Sequence, residues 1–168
     1  MSAKYYYLIA SLPQLALGQR PLISAEGFLK QCEGSLTDKD KGIISSAGID
    51  SLMPKEDDPE ALTDWKHFDT HIRKRIEDIR LLKKHGLNIH DKLHSMVKEI
   101  FEQENPLLSE RKLCEIRWAF LEGETLKYNF DINALVIYFL KLQLVNRLFV
   151  FDKEKGKAIF AQLTEVSV

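Results

Sequence analysis

The sequence predicts an all-α protein, an antiparallel bundle of several helices. Along most of the 168 residues, apolar side chains recur at steps of three and four, the spacing of one face of an α-helix. Glycine and proline are few, with 8 and 5 residues, so long helices are seldom interrupted. The stretch KYYYLIASL, residues 4–12, has a strand-like composition, but a single strand without a partner does not make a sheet.

The first predicted helices are short and begin at hydroxyl caps. Ser24 opens SAEGFLKQCEGSL and Thr37 opens TDKDKGIISSAGID, because a hydroxyl at the N-cap accepts a hydrogen bond from a free backbone N–H. The acids that follow Thr37 suit the positive end of a helix. Residues 51–59 contain two prolines and three consecutive acids, and this composition predicts a loop.

The longest uninterrupted helical pattern follows this loop, from Pro59 to a stop at Gly86. Proline suits the first turn of a helix, and glycine suits the position just after the last turn. The apolar stripe of this helix consists of Leu62, Trp65, Phe68, Ile72, Ile76, Ile79 and Leu82.

Four more helices complete the prediction. One begins at Asn88, and the next covers residues 107–126. Asp131 caps a helix over residues 130–151, and Asp152 starts a last short helix. The predicted core draws on two of the long helices and contains Trp65, Ile72, Ile76, Leu135, Phe139 and Leu142. We expect the whole chain to form a single helical domain.

The helix over residues 130–151 is apolar on two sides and about as long as a membrane span. Lys141 and Arg147 would each cost roughly 2.5–3.5 kcal/mol near the centre of a bilayer, whereas each apolar residue returns only a few tenths. We therefore expect a buried helix and no membrane span. Its second apolar stripe is expected to be only partly covered by this chain and to bind a partner protein. The predicted partner interface comprises Ile137, Leu140, Lys141, Leu144, Arg147 and Leu148.

Charge and cysteine content restrict the function further. The formal net charge is −1, so the chain as a whole has no electrostatic reason to bind nucleic acid or anionic lipid. Cys32 and Cys114 lie far apart in sequence and indicate a reducing compartment rather than a disulfide framework. The N-terminal apolar run is too short for a signal peptide, so we expect a cytoplasmic protein.

Two histidine pairs have the spacing of metal ligands on a helix. They are His67 with His71 and His90 with His94, and residues four apart share one helix face. The sequence has no HExxH motif and no phosphate-binding or nucleophile motif. We therefore predict a non-enzymatic protein without a cofactor, in which these histidines are solvated side chains at the edge of an apolar stripe. A metal-dependent enzyme built on the two pairs is an alternative.

Two stretches carry a resemblance to a known family. They are YYYLIASLPQL near the N-terminus and WAFLEGETLKYNFDINALVIYFLKLQLVNRLFVFDKEKGKAIFAQL in the C-terminal part. The matching positions are Tyr5, Tyr6, Leu12, Pro13, Trp118, Glu122, Phe130, Ile132, Tyr138, Leu140, Lys141, Leu142, Arg147, Asp152 and Gly156. Both stretches resemble a bacterial family associated with V-type ATP synthases, whose members stand where other organisms have a dedicated central-stalk protein.

This resemblance implies a helical bundle like that central-stalk protein, which joins the rotating central shaft to the membrane rotor ring in proton or sodium transport. It implies V-type ATPase subunits as partners and a cytoplasmic location at the inner membrane, held there through the ATPase. It implies no catalytic residue. A free-standing helical adaptor that docks through the helix over residues 64–85 is the alternative partner-binding function.

Overall fold

The computed structural model describes residues 4–85, 92–103 and 105–165, and leaves out the side chains of residues 82–85, 92–94 and 151–165. Within these ranges the chain forms seven helices and no strand, so the all-α prediction is confirmed. The helices are α1 (Tyr6–Ser11), α2 (Ala25–Glu33), α3 (Asp38–Ser46), α4 (Glu60–His85), α5 (Lys92–Phe101), α6 (Pro106–Thr125) and α7 (Ile132–Glu165).

Three predicted caps lie at the helix starts. The Ser24 hydroxyl accepts a hydrogen bond from the backbone N–H of Gly27 at 3.0 Å and begins α2. Thr37 does the same for α3, and the Asp131 carboxylate accepts from the N–H of Ala134 at 3.0 Å at the start of α7. These caps are confirmed because each depends only on residues within one turn of the helix.

Two predicted boundaries are wrong. The stretch KYYYLIASL contains the short helix α1 rather than a strand. Helix α7 runs through Asp152 without a break and has 34 residues, a length of about 51 Å. A single glycine, Gly156, costs only about 1 kcal/mol relative to alanine, which is too little to end a helix of this length. Gly86 and Asn88, the other predicted boundary residues, lie outside the described residues.

The long helices pack side by side in the predicted antiparallel manner. Side-chain contacts join Lys141 of α7 to Glu122 of α6, and Arg147 to Glu110, so residue numbers rise along one helix as they fall along the other. Helix α4 is also antiparallel to α6, while its first turn lies beside the first turn of α7. Helices α5 and α6 form a hairpin.

Helix α7 lies at the centre and is contacted by α2, α3, α4 and α6. Among the described residues, the segment Ile132–Val150 is long and apolar enough to cross a membrane on length and composition. Its mean hydropathy is 1.3, and 56% of it is buried within the protein. A helix that is apolar nearly all round is typical of the centre of a bundle, and the prediction that it is buried is confirmed.

The predicted core residues pack as expected. Trp65, Leu135, Phe139 and Leu142 belong to one large buried cluster. Ile72 is buried in a second cluster between α4, α5 and α6, and Ile76 is half-buried against it. Phe68 contacts both clusters and stacks on Phe120 with ring centroids 4.0 Å apart, so the two clusters are continuous.

The loop over residues 51–59 is fixed by a buried ion pair. The Lys66 ammonium of α4 donates to the Asp58 carboxylate at 2.6 Å and to the backbone carbonyl of Met53 at 3.0 Å. Both side chains are almost fully enclosed. Asp58 therefore anchors the loop to α4, in contrast to the exposed acids Glu56 and Asp57 beside it.

Asp40 ties the N-terminal segment to α3. Its carboxylate accepts hydrogen bonds from the Lys4 ammonium at 2.8 Å, from the Tyr5 hydroxyl, and from the Thr37 hydroxyl at 2.8 Å. Burial alone would raise the pKa of Asp40, but these hydrogen bonds outweigh it and hold the pKa below its usual range.

Asp40→Asn is expected to lower the free energy of unfolding by about 1–2 kcal/mol at pH 7. Because the folded-state pKa of Asp40 is lowered, its contribution is present above the unfolded value of about 3.9 and is lost as the pH falls below it. Urea unfolding at pH 7 and pH 3 measures this contribution. The wild type should lose more stability than the variant over that interval, and an equal loss would contradict the assigned role.

Candidate interaction surface

The predicted partner interface on α7 is wrong for the isolated chain. Leu140 and Leu144 have exposed fractions of 0%, and Ile137 and Leu148 are also buried within the chain's own core. The cause is the position of α7, which has α2, α3, α4 and α6 around it and so meets neighbours on both apolar stripes. A partner cannot reach these side chains without opening the bundle.

The two charged residues of that predicted interface pair within the chain. Lys141 is buried, donates to the Glu122 carboxylate at 3.0 Å and to the Thr125 hydroxyl at 2.8 Å, and lies over the Trp118 ring. Arg147 is half-buried and donates from Nε to the Glu110 carboxylate at 2.5 Å. Both cations therefore hold α7 against α6.

Arg147 belongs to a longer series of ion pairs between helices. Its guanidinium lies 3.7 Å from Asp50, and Asp50 accepts a hydrogen bond from Arg73 of α4 at 2.9 Å. Arg73 also donates to Asp69 at 2.7 Å, as the sequence spacing predicted, and Asp69 receives the Arg117 guanidinium of α6 at 2.7 Å. Asp69 and Arg117 are both buried, so this series fixes how α4, α6 and α7 align.

The first histidine pair lies in solvent. His67 and His71 are exposed on the outer face of α4, next to the exposed polar residues Lys74 and Glu77. Over the residues that the structure describes, no group of three or more His, Cys, Asp or Glu side chains is arranged to hold a metal ion.

The second histidine pair cannot be placed. His90 and the side chain of His94 lie outside the described residues. The outer face of α4 is polar along most of its length, so the helix over residues 64–85 offers few apolar anchors for a docking partner.

Neither cysteine is poised for chemistry. Cys32 and Cys114 are buried among apolar side chains. Burial raises the pKa of both thiols to about 11. Because the thiolate is the nucleophile, a thiol with so high a pKa reacts slowly at neutral pH.

A group of exposed aromatic and apolar side chains lies where α1 meets the turn between α6 and α7. We call Tyr6, Tyr7, Leu126 and Phe130 the aromatic surface. Tyr7 and Leu126 have exposed fractions of 87% and 88%. The Tyr6 ring contacts the rings of Tyr7 and Phe130, with centroids 5.5 and 4.5 Å away. Exposed aromatic groups of this kind are typical of protein-binding surfaces.

A cavity of about 290 Å³ opens beside the aromatic surface. Its walls come from α1, α7 and the turn between α6 and α7, and they are mostly apolar. The lining residues include Ile9, Leu12, Phe130, Ile137 and Tyr138. Polar lining groups are supplied by Thr125, Tyr128, Asn129 and Lys141. A concave apolar site with a few polar groups can receive side chains from another protein.

Sequence reasoning missed this surface for an identifiable reason. Three consecutive tyrosines and a leucine in a turn have no helical periodicity, so the pattern indicated only a strand-like stretch and a loop. The useful signal was the concentration of tyrosine near the N-terminus, since tyrosine is enriched at interfaces.

Comparison with known proteins gives a family. The family model described as "Protein of unknown function (DUF2764)" matches residues 62–166, which is more than half of the chain. The chain belongs to the DUF2764 family. The matched range takes in α5, α6, α7 and nearly all of α4, and the N-terminal helices lie before it. Neither the search of curated proteins nor the search of solved structures gave a match.

Proposed function

We propose that this DUF2764 protein is a non-enzymatic subunit or accessory protein of a V-type ATP synthase. In this role it binds other proteins of the complex and couples the central shaft to the membrane rotor ring. It carries out no chemistry and uses no cofactor. It is located in the cytoplasm and associates with the inner membrane through the ATPase.

The observation that supports this proposal is the meeting of the two stretches that resemble the ATPase-associated family. They are far apart in sequence, yet the backbone N–H of Tyr5 donates to the carbonyl of Phe130 at 3.0 Å. The Tyr138 hydroxyl donates to the carbonyl of Pro13 at 2.9 Å. Leu12 and Tyr138 line the same cavity. Residues shared with that family thus form one surface, as a common binding function requires.

The chemistry of that surface also favours binding. Tyr6, Tyr7 and Phe130 present large rings with few rotatable bonds, so fixing them against a partner costs little conformational entropy. The cavity beside them can take apolar side chains from a partner. Central, well-packed aromatic residues contribute most of the binding energy in many interfaces.

Tyr7→Ser is expected to reduce recovery of ATPase subunits about tenfold when the tagged chain is isolated from native membranes. Tyr7 is exposed and supports little of the core, so folding should be unchanged. Mass spectrometry of the co-purified proteins measures the association.

Leu22→Ser is the matched control for this experiment. Leu22 is also apolar and has the same exposed fraction of 87%, but it lies outside the aromatic surface. Its variant should retain ATPase subunits at the wild-type level. Failure of the wild-type chain to recover any protein of the ATPase would contradict the proposed function. Recovery of a different protein set would favour the free-standing adaptor.

A further inference from the structure

An excess of negative charge borders the aromatic surface. The Lys127 ammonium lies 2.7 Å from the Glu124 carboxylate and 3.9 Å from that of Asp64. A hydrogen bond to Glu124, and then the charges of Glu124, Asp64 and Glu60, raise the pKa of Lys127. Three carboxylates therefore face one ammonium, and the region keeps net negative charge.

Tyr128 connects this acidic region to the cavity. Its side chain lines the cavity wall. Burial, and then the charges of Glu60 and Asp64, raise the pKa of Tyr128 to about 12. The other cation at the cavity, Lys141, is already neutralised by Glu122 at 3.0 Å. Apolar anchoring sites and uncompensated carboxylates thus occupy one continuous surface.

We infer that the aromatic surface and its acidic border bind a basic amphipathic segment of a partner protein. Apolar side chains of that segment enter the cavity and pack on Tyr6 and Tyr7. Its arginine or lysine side chains pair with Glu60 and Asp64. The inference rests on the proposed partner-binding function, but not on the identity of the complex.

The charge decides which kind of partner fits. Glu60 is exposed and Asp64 is partly exposed, so an incoming cation reaches both without opening the core. Arginine suits the site best, because its planar guanidinium grips a carboxylate with two hydrogen bonds. An anionic membrane surface would be repelled by the same carboxylates, although the apolar side chains alone would suit lipid.

The test uses two labelled helical peptides and the full chain. Both peptides carry leucine and phenylalanine on one face, and the flanking positions hold arginine in the basic peptide and glutamate in its acidic twin. Fluorescence anisotropy measures their affinities. We expect the basic peptide to bind at least about tenfold more tightly than the acidic twin. This preference should shrink at high salt, because exposed charge pairs are screened over about 10 Å at 0.1 M.

Charge-removing variants locate the binding site. The double variant Glu60→Gln with Asp64→Asn should weaken binding of the basic peptide about fivefold. The matched control, Glu33→Gln with Glu77→Gln, removes two exposed carboxylates outside this surface and should leave the affinity unchanged. Equal binding of the two peptides, no binding of either, or equal effects of the two double variants would overturn the inference.

The same variants separate this inference from the proposed function. If the basic peptide binds as expected but no protein of the ATPase is recovered from membranes, the ATPase assignment fails and the binding chemistry stands. If ATPase subunits are recovered equally by the wild type and by the Glu60→Gln, Asp64→Asn variant, and the peptides do not discriminate, the inference fails and the assignment stands.

Discussion

Leu144→Asp is expected to leave most of the chain unfolded at neutral pH. Leu144 has an exposed fraction of 0% and lies in the large core cluster on α7. Losing a buried leucine side chain costs about 2–5 kcal/mol. An unpaired polar group buried in its place adds about 1–3 kcal/mol, and more if it stays charged. The total approaches the whole stability of a domain, about 5–15 kcal/mol. Circular dichroism and urea unfolding measure the loss.

The same substitution one face away provides the control. Val150 lies on the same helix with an exposed fraction of 54%, and Val150→Asp should change stability by no more than about 0.5 kcal/mol. A Leu144→Asp protein that melts like the wild type would mean that this stripe faces solvent, as the sequence had predicted.

The pH dependence of Leu144→Asp checks the physical cause. Burial raises the pKa of a carboxyl group, so the folded variant tolerates the neutral acid better than the carboxylate. The added loss should therefore be small below the unfolded pKa of about 3.9 and grow as the pH rises above it. A loss independent of pH would instead point to the missing leucine volume alone.

Local features of the fold could be predicted from the sequence. The caps at Ser24, Thr37 and Asp131 depend on hydrogen bonds within one turn, which the residue order alone defines. The stripe through Trp65 and Ile72 is buried as its spacing predicted, because only one face of α4 is apolar.

Features that depend on the number of neighbours could not be predicted. Helix α7 has two apolar stripes, and periodicity does not say whether the second contacts a partner or the chain's own helices. The structure shows four helices around α7, so Leu140 and Leu148 are enclosed. The partners of Lys141 and Arg147 were equally hidden, because Glu122 and Glu110 lie on a different helix and many acids compete in the sequence.

The candidate surface shows the same limit. Glu60, Asp64 and Tyr128 come from α4 and from the turn after α6, and only the packing of these elements brings them together. Tyr6 and Tyr7 were visible in the sequence, but their exposure depends on how α1 lies against Phe130. Single residues of the surface were recognisable, and their combination was not.

Asp69→Leu is expected to cost about 3–5 kcal/mol, because it leaves the buried Arg117 guanidinium without its carboxylate. Asp69 is fully buried, and both Arg117 Nε and Nη2 lie 2.7 Å from its Oδ1. Arg73, the second partner of Asp69, is partly exposed and keeps its hydrogen bond to Asp50. Most of the cost therefore comes from Arg117, and urea unfolding at neutral pH measures it.

The double variant Asp69→Leu with Arg117→Met gives the decisive comparison. Replacing a buried ion pair by apolar side chains of similar volume is often neutral or stabilising, whereas breaking the pair is not. We therefore expect the double variant to recover most of the stability lost by Asp69→Leu alone. If the double variant is as unstable as the single one, the two losses do not arise from an orphaned charge. The Asp69 carboxylate would then stabilise the bundle mainly through Arg73 and the series of ion pairs that leads to Arg147.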